Sequence, residues 1–305
     1  MTIKKLEFGS KVAIAAPARM VLPEEMAFAI NWLKENGFIP VYDERLFMQH
    51  FIFAGDDETR AANFQRYLND ETINAIWCAR GGYGSIRIID KLDFTKFVEH
   101  PKWIIGFSDV TVLHGKLNRL GIPSIHAAMP FYFANKTPEA KQSLIDALTG
   151  KPMHYEIETH PLNRSGEAEA EVVGGNLSVL IGMMGSNTFP ETDGKILFIE
   201  EVDEYIYHID RMMHCLQRAG KLDHLKGLIV GGLTQIKDNA HPFGQTAEEV
   251  IEEAVKDYDY PLCFGFPAGH WDDNRALLLG QKVKVIVPSQ SDASRSVCVS
   301  SCRPL

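Results

Sequence analysis

Long hydrophobic runs are missing from this 305-residue chain; no apolar stretch reaches the ~18 residues that a membrane-spanning helix requires. Positive charge is scarce relative to negative. With 31 Lys and Arg against 40 Asp and Glu, the formal net charge is −9. No basic stripe is available to neutralise phosphates, which argues against a general nucleic-acid binder. Cysteine is sparse too. The five stand at 78, 215, 263, 298 and 302, an odd number with scattered spacing, which points to reduced thiols rather than a disulfide framework. Cys298 and Cys302 are close together but lack a second ligand pair, so a zinc site is not expected, and no cofactor is expected either. The opening segment "MTIKKLEFGSKVAIAAPARM" holds an apolar run too short for a secretion signal. It reads better as a first strand ending in a Pro-containing turn, and the protein is expected to be cytoplasmic.

What is present is an ordinary globular composition, 45% hydrophobic and 23% charged, with strand-like and helical runs in alternation. "KVAIAAPA", "FIPVYDE", "INAIWCAR", "KWIIGFSD" and "IPSIHAAM" read as strands. "PEEMAFAINWLKENG", "DDETRAANFQRYLND", "SIRIIDKLDFTKFVEH" and "VTVLHGKLNRLG" between them read as helices. Such alternation implies an α/β fold with a mostly parallel sheet and helices on both faces. Residues 1–140 are expected to form this N-terminal domain. Residues 141–166, polar and turn-rich after one helix, are expected to cross to a mixed α/β C-terminal domain at 167–305. The closing segment "SQSDASRSVCVSSCRPL" is Ser-rich and weakly patterned, and it reads as a frayed terminus.

In parallel sheets, sites form at the carboxyl ends of strands. Two short motifs fall there. The first is "GFSD", where Ser108 stands between an apolar strand and a helix. A Ser in that place is commonly an N-cap, but it can also be a nucleophile presented on a tight turn, and Gly106 relieves crowding in such a turn. The hydrolase elbow G-x-S-x-G is not matched. The second motif is "ARGGYGS", whose glycines let the backbone approach a ligand and offer amides to an anion. An ordinary turn is the plain alternative. The spacing does not fit a dinucleotide fingerprint, and an oxyanion hole shared with the amide after Ser108 fits better.

Cys78 ends a strand as well, although Ile76 and Trp77 beside it favour a buried thiol. A hydroxyl nucleophile needs a base, and the base needs an orienting partner. Of the 11 His residues, His270 and His126 stand at strand ends, whereas His208 and His214 read as helix-surface or packing residues. "KILFIEE" delivers Glu200 and Glu201 at a further strand end, and their side chains point to opposite faces. Arg80, beside the Gly-rich turn, and Arg211, in "HIDRMM", could grip a substrate carboxylate, or either could be a surface ion-pair partner.

Taken in order, "RGGYG", "GFSD", "GGNLSVL", "LFIEEV…IDRM" and the late "GH" resemble the LD-carboxypeptidases, a family of serine peptidases. The resemblance runs over about residues 10–285. It implies a nucleophile at Ser108, a triad carboxylate at Glu200 and a general base at His270. It further implies oxyanion amides at Gly82 (with Gly81 as the alternative) and Asp109, and a place for Asn176 in the substrate cleft. The family pattern has His-Gly where this chain has His126–Ala127, a departure in the cleft wall rather than the triad. The implied enzyme is a metal-free cytoplasmic homodimer that releases D-alanine from murein tetrapeptides. Within the same family, the alternative is a hydrolase that gives self-immunity to a peptide–nucleotide antibiotic. Such an enzyme would want an exposed aromatic such as Trp271 near the cleft. A two-domain small-ligand binding protein is the alternative from another class.

Overall fold

The computed structural model describes residues 3–289 and 296–302. Its first sheet is built from β1 (Lys11–Ala15), β2 (Ile39–Val41), β3 (Ala75–Cys78), β4 (Trp103–Gly106) and β5 (Ser124–His126). The second takes β6 (His154–Ile157), β7 (Gly166–Asn176), β8 (Ile196–Val202), β9 (Gly227–Thr234) and β10 (Leu262–Cys263). The last strands are β11 (Leu277–Leu279), β12 (Lys282–Val287) and β13 (Val297–Ser301). The six-stranded sheet has the order β11-β5-β4-β3-β1-β2, parallel throughout except for β11, which lies antiparallel to β5. The seven-stranded sheet runs β10-β9-β8-β7-β12-β13-β6. Its β10-to-β7 half is parallel and the remainder antiparallel. The fold is mixed α/β, as expected.

The two kinds of strand are written differently. β3 "AIWC" and β4 "WIIG" are buried at every position, because parallel strands are covered on both faces. β12 alternates, burying Val283, Val285 and Val287 while its lysines face outward. β7 does both. Its first half alternates Glu and Ala against β12, and its last five residues, "VVGGN", are buried against β8. A single apolar core runs through both sheets.

Four segments depart from the expected pattern. "SIRIIDKLDFTKFVEH" is not one helix but short turns at Ser85–Ile88, Ile89–Lys91 and Thr95–Glu99. Asp93 breaks it by accepting the Thr95 amide and hydroxyl, a local bond that competes with the helix. The polar stretch after residue 150 contains a true strand, β6, with Tyr155 and Ile157 buried in alternation. The Ser-rich terminus is a strand over Val297–Ser301, because Val297 and Val299 alternate inward between β12 and β6. The tail residues 290–295 and 303–305 lie outside the described residues. Finally, "RALLLGQKVKVIV" is divided between the two sheets, β11 in the first and β12 in the second.

Candidate active site

β4 ends at Gly106, Phe107 stays extended, and Ser108 turns into the left-handed region with φ 60°. That conformation costs an L-residue about 1–2 kcal/mol. A 3-10 turn over Ser108–Val110 then leads into the helix Thr111–Arg119. Neither the turn nor the helix has a side-chain cap, so Ser108 does not serve as an N-cap. The turn doubles back tightly enough that a Cβ on Gly106 would lie 2.9 Å from the Val110 methyls. The Gly106 carbonyl accepts from Nε2 of buried His114 at 2.9 Å, and burial lowers the pKa of His114 to about 4.

The Gly-rich turn is fastened to this elbow by the residue after Ser108. Asp109 is 4% exposed, and its Oδ2 accepts the backbone amide of Ser85 at 2.8 Å. Burial raises its pKa, with the bonds from Ser85 and Gly84 working against that rise. Gly81 lies directly on the elbow; a Cβ there would stand 3.3 Å from Ser108 Cβ and 3.4 Å from the Asp109 amide nitrogen. The Gly82 and Asp109 amides therefore belong to two segments in mutual contact.

On the second sheet, β8 carries Glu200, fully buried, and the loop after β10 carries His270. Nδ1 of His270 lies 2.6 Å from Glu200 Oε2. A carboxylate only accepts, so Nδ1 is the protonated nitrogen and Nε2 is left to take a proton. Burial works to lower the His270 pKa, but the charge and hydrogen bond of Glu200, with Glu201 behind it, outweigh burial and raise it. The closeness of strand and loop depends on Gly269, whose φ is 124°; a Cβ there would meet Glu200 Oε2 at 3.0 Å. The His270 ring packs on the ring of Phe107, centroids 4.8 Å apart, which brings it next door to Ser108.

The sheets are joined just behind this point. Thr111 Oγ1 accepts the Asn176 amide at 3.0 Å, and Asn176 stands opposite Glu200 in the β7–β8 register. Glu201 turns away from His270. It accepts from Asn176 Nδ2 at 2.9 Å, the Ser178 amide at 2.7 Å and the Val202 amide at 2.9 Å. Burial raises the Glu201 pKa against these bonds.

The elbow at Ser108, the Gly-rich turn against it and the carboxylate-bound imidazole packed on Phe107 thus lie at the carboxyl ends of β3, β4 and β8. Two family models match the sequence that builds this arrangement: the LD-carboxypeptidase N-terminal domain over residues 12–127 and the C-terminal domain over 169–285. The chain belongs to the LD-carboxypeptidase family. It is 33% identical over 285 residues to the "Probable murein peptide carboxypeptidase" of Bacillus subtilis (strain 168), covering 92% of this chain and 89% of that one. The muramoyltetrapeptide carboxypeptidase of Oxalobacter formigenes superposes with a TM-score of 0.87 at 25% identity, covering 97% of this chain and 100% of that chain. The microcin C7 self-immunity protein MccF of Escherichia coli is 27% identical over 304 residues, covering 89% of this chain and 88% of that one.

The other residues singled out within this LD-carboxypeptidase chain lie as follows. Asn176 is 3% exposed; its carbonyl accepts from Ser178 Oγ and the Val179 amide, capping the helix Leu177–Gly182. Arg80 lies over the Phe131 ring at 3.8 Å and donates to the Met20 carbonyl at 3.3 Å. Arg211 is exposed on the helix Ile206–Arg218 above Tyr207. Cys78 is wholly buried, which pushes its thiol pKa far up. His126 is also wholly buried among Phe107, His114 and Phe198, and burial holds its pKa well below the ordinary value. Trp271 is half-buried with its ring against Gly232. Sequence reasoning gave Thr111 and Gly269 no part in the site. Gly269 had a signal in "PAGH"; Thr111 acts through Asn176, a partner far along the chain, which no local pattern reveals.

Proposed function

We propose that this protein is a serine LD-carboxypeptidase that hydrolyses the bond between an L-centre and the terminal D-alanine of murein tetrapeptides. The observation that carries the reading is the buried Glu200–His270 pair, with its imidazole on Phe107 beside the strained Ser108. In this mechanism His270 Nε2 accepts the Ser108 proton as Oγ attacks the scissile carbonyl. Glu200 fixes the imidazole tautomer and stabilises the cation that forms. The Gly82 and Asp109 amides bind the oxygen that becomes negative in the tetrahedral intermediate. His270 then protonates the leaving amine of D-alanine, and a water activated by the same nitrogen releases the acyl group.

In the same reading, Asn176 contributes to the cleft from behind, through Glu201 and the neighbouring helix cap. Residues 1–140 carry the nucleophile, 141–166 cross over, and 167–305 carry Glu200 and His270; the two family-model spans support that division. A cytoplasmic homodimer acting in peptidoglycan recycling is part of the proposal, and it rests on the family resemblance.

Similarity to MccF supports a second reading, cleavage of a peptide–nucleotide antibiotic, in which Trp271 would stack on a base. A ligand-binding protein, by contrast, has no use for a carboxylate-bound imidazole beside a strained serine. The test is a set of D-terminated and L-terminated tetrapeptides assayed with the wild type and with Ser108→Ala. Release of D-alanine from the D-terminated peptides alone, lost on the order of 10⁶-fold in Ser108→Ala, is the expected result. Substantial activity in Ser108→Ala would sink the assignment.

A further inference from the structure

A carboxypeptidase must recognise the free carboxylate of the residue it removes. Three arginines stand near the carboxyl ends of the first sheet, and their surroundings differ. Arg60 is 1% exposed and fully engaged: its nitrogens donate to the carbonyls of Pro17, Gly55 and Gly84 and pair with Asp57. It ties together the loops that carry the other groups. The Arg80 guanidinium lies flat on Phe131 and reaches the Met20 carbonyl. Arg19 is different. Its Cδ and Nε lie over the Gly82 backbone, 2.6 and 2.7 Å from where a Cβ would be, and Gly82 has φ 96°. Its Nε is buried yet bonds to no acceptor among the described residues, and no described carboxylate is within ion-pair distance of Arg19.

We propose that Arg19 is the specificity residue that binds the terminal carboxylate of the substrate's D-amino acid. The inference rests on the carboxypeptidase reading and deepens it. In a substrate, the scissile carbonyl and the terminal carboxylate belong to consecutive residues, whose Cα atoms are about 3.8 Å apart. A group that binds the carboxylate must therefore sit one residue's length beyond the oxyanion amides, on the leaving-group side. Arg19 lies against Gly82, one of those amides. Guanidinium N–H donors cannot be deprotonated at working pH, and their fork matches both oxygens of a carboxylate. An amide offers only one such oxygen and no charge. The stem packing on Gly82 holds the fork in place before substrate arrives. Gly82 is thereby required twice, for its left-handed backbone and for the room that Arg19 occupies.

The test compares kcat/KM on a D-alanine-terminated tetrapeptide and on its C-terminal amide, in the wild type, Arg19→Gln, Arg19→Lys and Arg80→Gln. The wild type should favour the free acid by about 100-fold. Arg19→Gln should bring that ratio to within about 5-fold, mainly through lost activity on the acid, and Arg19→Lys should keep a ratio of about 10 because charge survives without the fork. Thermal midpoints check that each variant is folded, and if Arg19→Gln does not fold, Arg19→Lys carries the test. An intact wild-type ratio that Arg19→Gln leaves unchanged, or that only Arg80→Gln abolishes, would overturn Arg19 alone. Equal wild-type rates on acid and amide would overturn the carboxypeptidase reading and Arg19 with it.

Discussion

The Thr111 hydroxyl accepts the backbone amide of Asn176 at 3.0 Å, across the junction of the two sheets. Thr111 begins the helix that follows Ser108, and Asn176 ends the strand that lies against Glu200. One bond thus ties the nucleophile's helix to the strand pair that carries the base's partner. Thr111 is fully buried, so a Val in its place would keep the shape and strand the Asn176 amide without an acceptor. That should cost about 1–3 kcal/mol of stability. It should also lower kcat by roughly 10- to 100-fold, since a small misplacement of reacting groups is expensive. Steady-state kinetics with denaturant unfolding of Thr111→Val checks both. The pH profile should not move, because no titrating group has changed.

Asp109 offers a second way to separate scaffold from chemistry. Its amide is assigned to the oxyanion hole, whereas its side chain holds the Gly-rich turn through the Ser85 amide. Asp109→Ala keeps the first and removes the second. We expect kcat to fall by roughly 10- to 100-fold while acylation by an activated ester suffers less, because loose oxyanion donors matter most for the difficult amide bond. A rate on ester and amide that drops equally would point to loss of Ser108 geometry instead.

Much of this site was legible before any coordinates. β3 and β4 are continuous apolar runs because both faces are covered, and that pattern marks where each must end. Ser108 stands just past the end of β4 and Glu200 near the end of a third apolar run, β8, but position alone leaves Ser108 open as an N-cap and does not choose between Glu200 and Glu201; the family resemblance supplies those roles. His270 is one strand-end histidine of two, and their partners differ: Glu200 bonds His270, whereas the ring nitrogens of His126 have no hydrogen-bond partner among the described residues. Short strands in polar surroundings were harder. β6 and β13 each bury only two apolar side chains, too few to stand out beside Ser and Glu. The division of "RALLLGQKVKVIV" between sheets depends on β5 and β7, which are remote in sequence. Arg19 looked like any loop arginine, because Gly82 is what gives it a place.

Cys78 supplies the control. It stands at a strand end close to the Gly-rich turn, but it is wholly buried and its thiol is held protonated by desolvation. A thiolate nucleophile needs the opposite surroundings. Cys78→Ala should therefore keep kcat/KM within about 3-fold and lose about 1 kcal/mol of stability for the removed sulfur. Thiol-modifying reagents should leave folded enzyme active, and a rate collapse in Cys78→Ala would revive a cysteine mechanism.

The pH dependence tests the dyad directly. His270 must be neutral to accept the Ser108 proton, so activity falls as pH drops through its pKa. Burial alone would lower that pKa strongly, but the Glu200 charge, its hydrogen bond at 2.6 Å and the Glu201 charge together outweigh burial and raise it above the ordinary value of 6.5. The acid limb of kcat/KM should accordingly lie above pH 6.5, with the rate rising toward alkaline pH. Glu200→Gln removes the negative charge and leaves the burial. The limb should then move to lower pH, while the maximal rate falls by about 10⁴-fold because the imidazolium loses its stabiliser and the tautomer its anchor. Opposite movements of limb and plateau are the signature of an orienting carboxylate. A limb that stays in place in Glu200→Gln would mean that His270 is not the group being titrated.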